Sequence, residues 1–147
     1  MRGRGFAPAS LFIGETQMAI NKDNSVDFNN MEVECEELNI GPSGTVTQIT
    51  NRSTGVTLNR TSGQITTDTT SLAAEGTADF IVTNTKVSAK SVVVLSVATD
   101  GDGGATIASV TAVAAGSFTI RLHNANAAAG TAETGAMVLN FVVINGV

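Results

Sequence analysis

Tryptophan and tyrosine are both missing from this sequence, and phenylalanine occurs only six times in 147 residues. That scarcity removes the flat aromatic platforms on which bases and sugar faces stack. Cysteine occurs once, at Cys35. A single thiol excludes an intrachain disulfide and argues against a disulfide-stapled secreted scaffold. Histidine also occurs once, at His123, so no Cys/His cluster of the zinc-binding kind is available. Charged residues make up 14% of the chain, well below the usual quarter or so. The net charge is −5. An acidic chain is repelled by phosphate backbones, so no nucleic-acid partner is expected. No run of 18 apolar residues exists, so no transmembrane helix and no membrane partner are expected. The opening MRGRGFAPASLFIGE carries two arginines and an apolar patch, but Pro8 and Ser10 break the patch. It is therefore read as an arm and not as a signal peptide.

What fills the composition instead is Thr, Val, Ala and Gly. The stretch Thr45–Thr67, TVTQITNRSTGVTLNRTSGQITT, reads as three short strands. Val46 and Ile49 lie in a Thr-rich run, Val56 and Leu58 alternate with Thr57 and Asn59, and Ile65 follows Gly63. The separators Asn51–Gly55 and Asn59–Gly63 are rich in turn-forming residues. β-Branched residues pack well on a pleated surface, so this is an all-β signature.

Further strands follow at about ten-residue spacing. Thr77–Asn84 alternates, with Ala78, Phe80 and Val82 on one face. Ser91–Ala98 is apolar on both faces: Val92, Val94 and Ser96 point one way, Val93, Leu95 and Val97 the other. Such a strand is covered on both sides, and the second cover is expected to be another subunit. Ala105–Val113 and Ser117–Asn124 flank Ala115-Gly116, a hairpin turn. In the second of these, Phe118, Ile120 and Leu122 face the core, while Thr119, Arg121 and His123 face away. Ala136–Ile144 closes the series, interrupted only by Asn140. Eight strands so spaced predict a β-sandwich, with a jelly roll as the preferred topology.

Gly41-Pro42-Ser43-Gly44 marks the domain boundary. The expected organisation is an N-terminal arm over residues 1–43 and a β-sandwich domain over 44–147. The arm places Arg2 and Arg4 beside the apolar residues Phe6, Leu11, Phe12 and Ile13. These six are the candidate capsid-binding residues if the arm orders on a partner. Ser25–Phe28 and Met31–Cys35 read as a hairpin around Asn29-Asn30, with a helix through Met31, Cys35 and Leu38 as the competing reading. The row Glu32, Glu34 and Glu36 is then a solvated strand face.

Chemistry has few places to reside. Asp100-Gly101-Asp102-Gly103-Gly104 is partly like a calcium loop, but it lacks a third oxygen ligand and a distant Glu in register. It is read as a hairpin loop between two strands. His123 has no nucleophile-elbow pattern to serve, and Cys35 is read as a small packed residue. No catalytic, cofactor-binding or metal-binding residues are assigned, and the chain is expected not to be an enzyme.

The pattern TVTQ-T-x-x-S-T-G-V-T-L-N-R-x-x-G-Q-I-T is similar to a segment recurring in tailed-bacteriophage virion proteins, including head-decoration (cement) proteins and fibre-associated domains. The resemblance extends through Leu72–Val97 and the ending Ala136–Ile144, roughly the last two thirds of the chain. It implies a virion structural protein on the outer capsid surface, with the major capsid protein as partner. Together with the doubly apolar strands, it implies a homotrimer. The alternative it leaves open is a fibre or spike-associated adhesin module binding host surface glycan.

Overall fold

The computed structural model describes residues 10–13, 16–19, 43–102, 104–127 and 129–145. The chain divides into two compact units, residues 1–38 and 39–147. In the first, β1 (Ser10–Ile13) and β2 (Thr16–Ala19) form an antiparallel hairpin, Ser10 opposite Ala19 and Ile13 opposite Thr16. The expected hairpin or helix over Ser25–Leu38 lies outside the described residues, as do Arg2, Arg4, Phe6 and Cys35.

The second unit is all β among its described residues. It contains β3 (Thr45–Thr47), β4 (Val56–Thr57), β5 (Ser62–Thr66), β6 (Thr77–Thr83), β7 (Val92–Thr99), β8 (Thr106–Ala114), β9 (Ser117–Asn124) and β10 (Val138–Ile144). Two four-stranded sheets result, with orders β3-β5-β10-β7 and β4-β6-β9-β8. They pack face to face as a β-sandwich. Each sheet is mixed: β3–β5 and β4–β6 are parallel, and the other pairs are antiparallel. This pairing does not establish a jelly roll.

The alternation seen in the sequence sets the layers. In β6, Ala78, Phe80 and Val82 are buried while Thr77, Asp79, Ile81 and Thr83 are exposed. In β9, Phe118, Ile120 and Leu122 point into the sandwich, opposite Ile65, Leu139 and Phe141 of the other sheet. Three of the six phenylalanines therefore build the core. The rings of Phe118 and Phe141 sit 5.4 Å apart, centroid to centroid, tilted at 56°, a favourable edge-to-face range. Gly63 leaves room here: a Cβ on it would stand 2.6 Å from a Leu58 methyl.

Turn chemistry closes the corners. Asn51 accepts a hydrogen bond on Oδ1 from the Ser53 amide and on its carbonyl from the Thr54 amide, an Asx turn. Ala115-Gly116 forms the tight turn between β8 and β9, with Gly116 at φ +84°. Only glycine adopts that backbone without steric cost.

Candidate functional site

The loop most like a cation site, Asp100–Gly104, does not join two paired strands. β7 belongs to one sheet and β8 to the other, so the segment arches across the end of the sandwich. The expectation of a hairpin loop is corrected on this point. Asp and Gly signal a turn locally, but they carry no information about which sheets the flanking strands enter.

The arch is held by Glu133, a carboxylate wholly removed from solvent. Its Oε1 accepts the backbone amides of Asp102 and Gly135, each at 2.9 Å, and its Oε2 accepts the Thr106 hydroxyl at 3.1 Å. Asp102 answers from the surface. Its carboxylate accepts the Thr134 hydroxyl, the Thr134 amide at 2.7 Å and the Gly135 amide at 2.6 Å. These bonds, the Thr134 hydroxyl foremost, hold the Asp102 carboxyl well below the usual carboxylate range. Gly101 is required by close approach: a Cβ there would fall 2.0 Å from Glu133 Oε1.

Arg52 completes the arrangement from below. Its guanidinium donates to the carbonyls of Thr70 at 2.5 Å and Gly135 at 2.8 Å, and to Thr67 Oγ1 at 3.2 Å. A guanidinium nitrogen also stands 4.0 Å from Glu133 Oε1. Gln48, likewise buried, donates to the carbonyls of Arg52 and Thr54 and accepts the Asp68 amide. Four connecting segments are thus tied together by polar side chains with partners, as buried polar groups require.

This arrangement is structural. All four carboxylate oxygens of Glu133 and Asp102 accept N–H or O–H donors of neighbouring loops, so the two side chains tie those loops together. Among the described residues, no group of three or more His, Cys, Asp or Glu is placed to hold a metal ion. Sequence reading passed over Gln48, Arg52 and Glu133, because nothing local distinguishes a polar residue destined for burial in a loop-rich end.

His123 lies on the outer face of its sheet, between Thr77 and Ile107 on the neighbouring strands. Its Nδ1 is buried without a hydrogen-bond partner among the described residues, so no carboxylate orients that nitrogen as a triad requires. On the same face, Arg121 forms a two-pronged ion pair with Asp79 directly across β6, at 2.7 and 2.8 Å. The hydrogen-bonded pair holds the Asp79 carboxyl below the usual carboxylate range and pushes the Arg121 guanidinium above its ordinary value. Being exposed, it is a weak contributor to stability.

Two shallow recesses lie among the described residues. One, of about 360 Å³, runs along Gly44, Ser62, Gln64, Asn140 and Val142; the other, of about 390 Å³, lies among Ser53, Gly55, Asp79, Ile81 and Thr119. Phe141 and Phe80, at their floors, are buried, so neither recess presents a ring for stacking. Large apolar side chains are also exposed. Val92, Val94 and Ile144 stand out from the β7–β10 face. Of the candidate arm residues, Leu11, Phe12 and Ile13 lie on β1, opposite Met18, Gln17 and Thr16; Arg2, Arg4 and Phe6 lie outside the described residues. Comparison with known protein families, curated proteins and solved structures found no match to this chain.

Proposed function

We propose that this chain is a capsid decoration (cement) protein of a tailed bacteriophage, binding the outside of the shell and stabilising it. The observation that carries the reading is where exposed chemistry concentrates. The described surface offers uncharged apolar strand faces at Val92, Val94 and Ile144, while the polar constellation of buried Glu133 and exposed Asp102 is engaged with the chain's own loops. Such a molecule acts by burying surface, multiplied by the symmetry of an assembly, and not by transforming a substrate. The segments that resemble virion proteins supply β3 to β7 and β10, the strands that make up most of the sandwich.

In this reading the major capsid protein is the partner, the protein is a homotrimer at a three-fold position on the outer surface, and the arm over residues 1–43 makes the attachment. The glycan-binding fibre module is the weaker reading, because neither recess carries an exposed aromatic ring. Cryo-electron microscopy of purified particles tests the proposal. Density for the sandwich on the outer shell at three-fold positions is the expected result; density on a tail fibre replaces it with the alternative.

A further inference from the structure

The two ends of the sheets differ. On one side the sandwich finishes in β3 and β4, strands of three and two residues. Very short edge strands are one of the devices by which proteins prevent sheets from pairing edge to edge. On the other side it finishes in β7 and β8, of eight and nine residues. These are edge strands of opposite sheets, and they lie against each other across the sandwich. Neither contains proline or a charged residue, and no charge occurs from residue 104 to residue 120. Each carries a single bulge, opposite Val138–Leu139 in β7 and at Thr111 in β8.

The core is also open along this side. Val93, Leu95, Val110 and Val113 point inward yet remain only partly buried, and Val97 is 42% exposed. Round the corner, Val92 lies across from Ile144 and Val94 from Val142. Val92, Val94 and Ile144 are 59%, 50% and 49% exposed.

We propose that the β7–β8 side is the surface through which copies of this chain associate, edge strand beside edge strand. The proposal deepens the homotrimer reading above and takes only its copy number from it. The occupant follows from geometry. Among the described residues, no strand pairs with the outer edge of β7 or β8, so the side presents two rows of backbone groups separated by the sheet-to-sheet distance of about 10 Å, with an apolar slot between. A single added strand satisfies one row and leaves the slot wet. Three copies that turn this side to a common three-fold axis place the β7 edge of each beside the β8 edge of the next, so both rows of every copy are paired and the apolar slots meet at the axis. Charge agrees: a chain of net charge −5 repels itself, and this side brings no charged side chain of either strand to the contact. Size agrees as well. An edge about 26 Å long and about 20 Å deep, with the adjoining β7–β10 face, approaches the roughly 800 Å² per partner of a standard interface.

Lysine on an edge strand blocks pairing without disturbing the interior. Sedimentation of the full chain, with thermal melts alongside, therefore tests the surface. Wild type is expected at three chain masses at micromolar concentration. Val94→Lys on β7 and Ala112→Lys on β8 are expected to sediment at one chain mass, or to need at least tenfold higher concentration to associate. Ser96→Lys, at an exposed polar position of β7, takes the place of Val94→Lys if that variant melts early. Thr57→Lys, on the short β4 edge, is expected to behave as wild type. A monomeric wild type overturns the proposal. So does an unchanged mass in both edge variants, or dissociation caused by Thr57→Lys. Shell binding is measured separately: an associating protein that ignores phage shells sinks the decoration reading alone.

Discussion

Phe118 shows what one side chain contributes here. It is 1% exposed and meets Phe141 across the two sheets. Replacing it with alanine removes the ring, leaves a void between closely packed layers, and is expected to cost about 3–5 kcal/mol. Chemical denaturation reads this as a lower midpoint with an unchanged slope. Asp102 works differently, through hydrogen bonds at the surface. Its folded-state pKa lies below the unfolded value because Thr134 and Gly135 donate to the charged form. The stabilisation is therefore complete above the unfolded aspartate value of about 3.9 and is lost as pH falls through the lower folded value. Asp102→Asn is expected to lower the melting temperature at pH 7. The gap from wild type is expected to close below about pH 4, and melts across that range check it.

At the scale of elements, the β8–β9 hairpin depends on one backbone conformation. Gly116 sits at φ +84° with open space around its Cα. Gly116→Ala meets no neighbour, so its cost is conformational alone, about 1–2 kcal/mol. A much smaller loss in the melt would show that the turn relaxes to another type. The N-terminal hairpin is a second element, and the proposed function gives it a role separate from the sandwich. Among the described residues, the core of the sandwich is drawn from strands and loops after residue 55, with Val46 packed against it. Removing residues 1–13 is therefore expected to leave the melting transition nearly unchanged while weakening attachment to shells. Burial of Phe6, Leu11, Phe12 and Ile13 against a partner is worth roughly 1.5–3 kcal/mol each. Ordering takes back about 1–2 kcal/mol per residue fixed, so a single arm is expected to bind weakly and the three arms of the proposed trimer durably. Arg2 and Arg4 are expected to add a salt-sensitive component. Matched shell-binding measurements on full-length and shortened protein decide the point: equal affinity transfers attachment to the sandwich.

The sandwich combines a polar lock at one end with a β7–β8 side along which its core is only partly covered. Glu133, Arg52 and Gln48 lock one end of the sandwich. The short β3 and β4 strands blunt one edge, while the β7–β8 edge stays long and uncharged. A protein whose task is a persistent assembly gains from this division, since rigidity in the unit fixes the geometry of the contact. The small number of charges has the same consequence: little must be desolvated when surfaces meet.

The strands were legible because their periodicity is local. Alternation in Thr77–Asn84 and Ser117–Asn124 put Phe80, Val82, Phe118, Ile120 and Leu122 inside before any partner strand was known. The same alternation announced that β7 is apolar on both faces. Pairing was not legible, since a strand carries no local record of its neighbour. Only the tertiary structure joined β3 to β5 and β4 to β6 in parallel and sent β7 and β8 to opposite sheets. The Asp100–Gly104 segment illustrates the limit. Its composition determined a turn, whereas its role as an arch was decided by Glu133, some thirty residues later in the chain and adjacent only after folding. Burial of a carboxylate is a property of the packed end of a sandwich, where backbone amides from separate loops converge, and no single segment encodes that convergence.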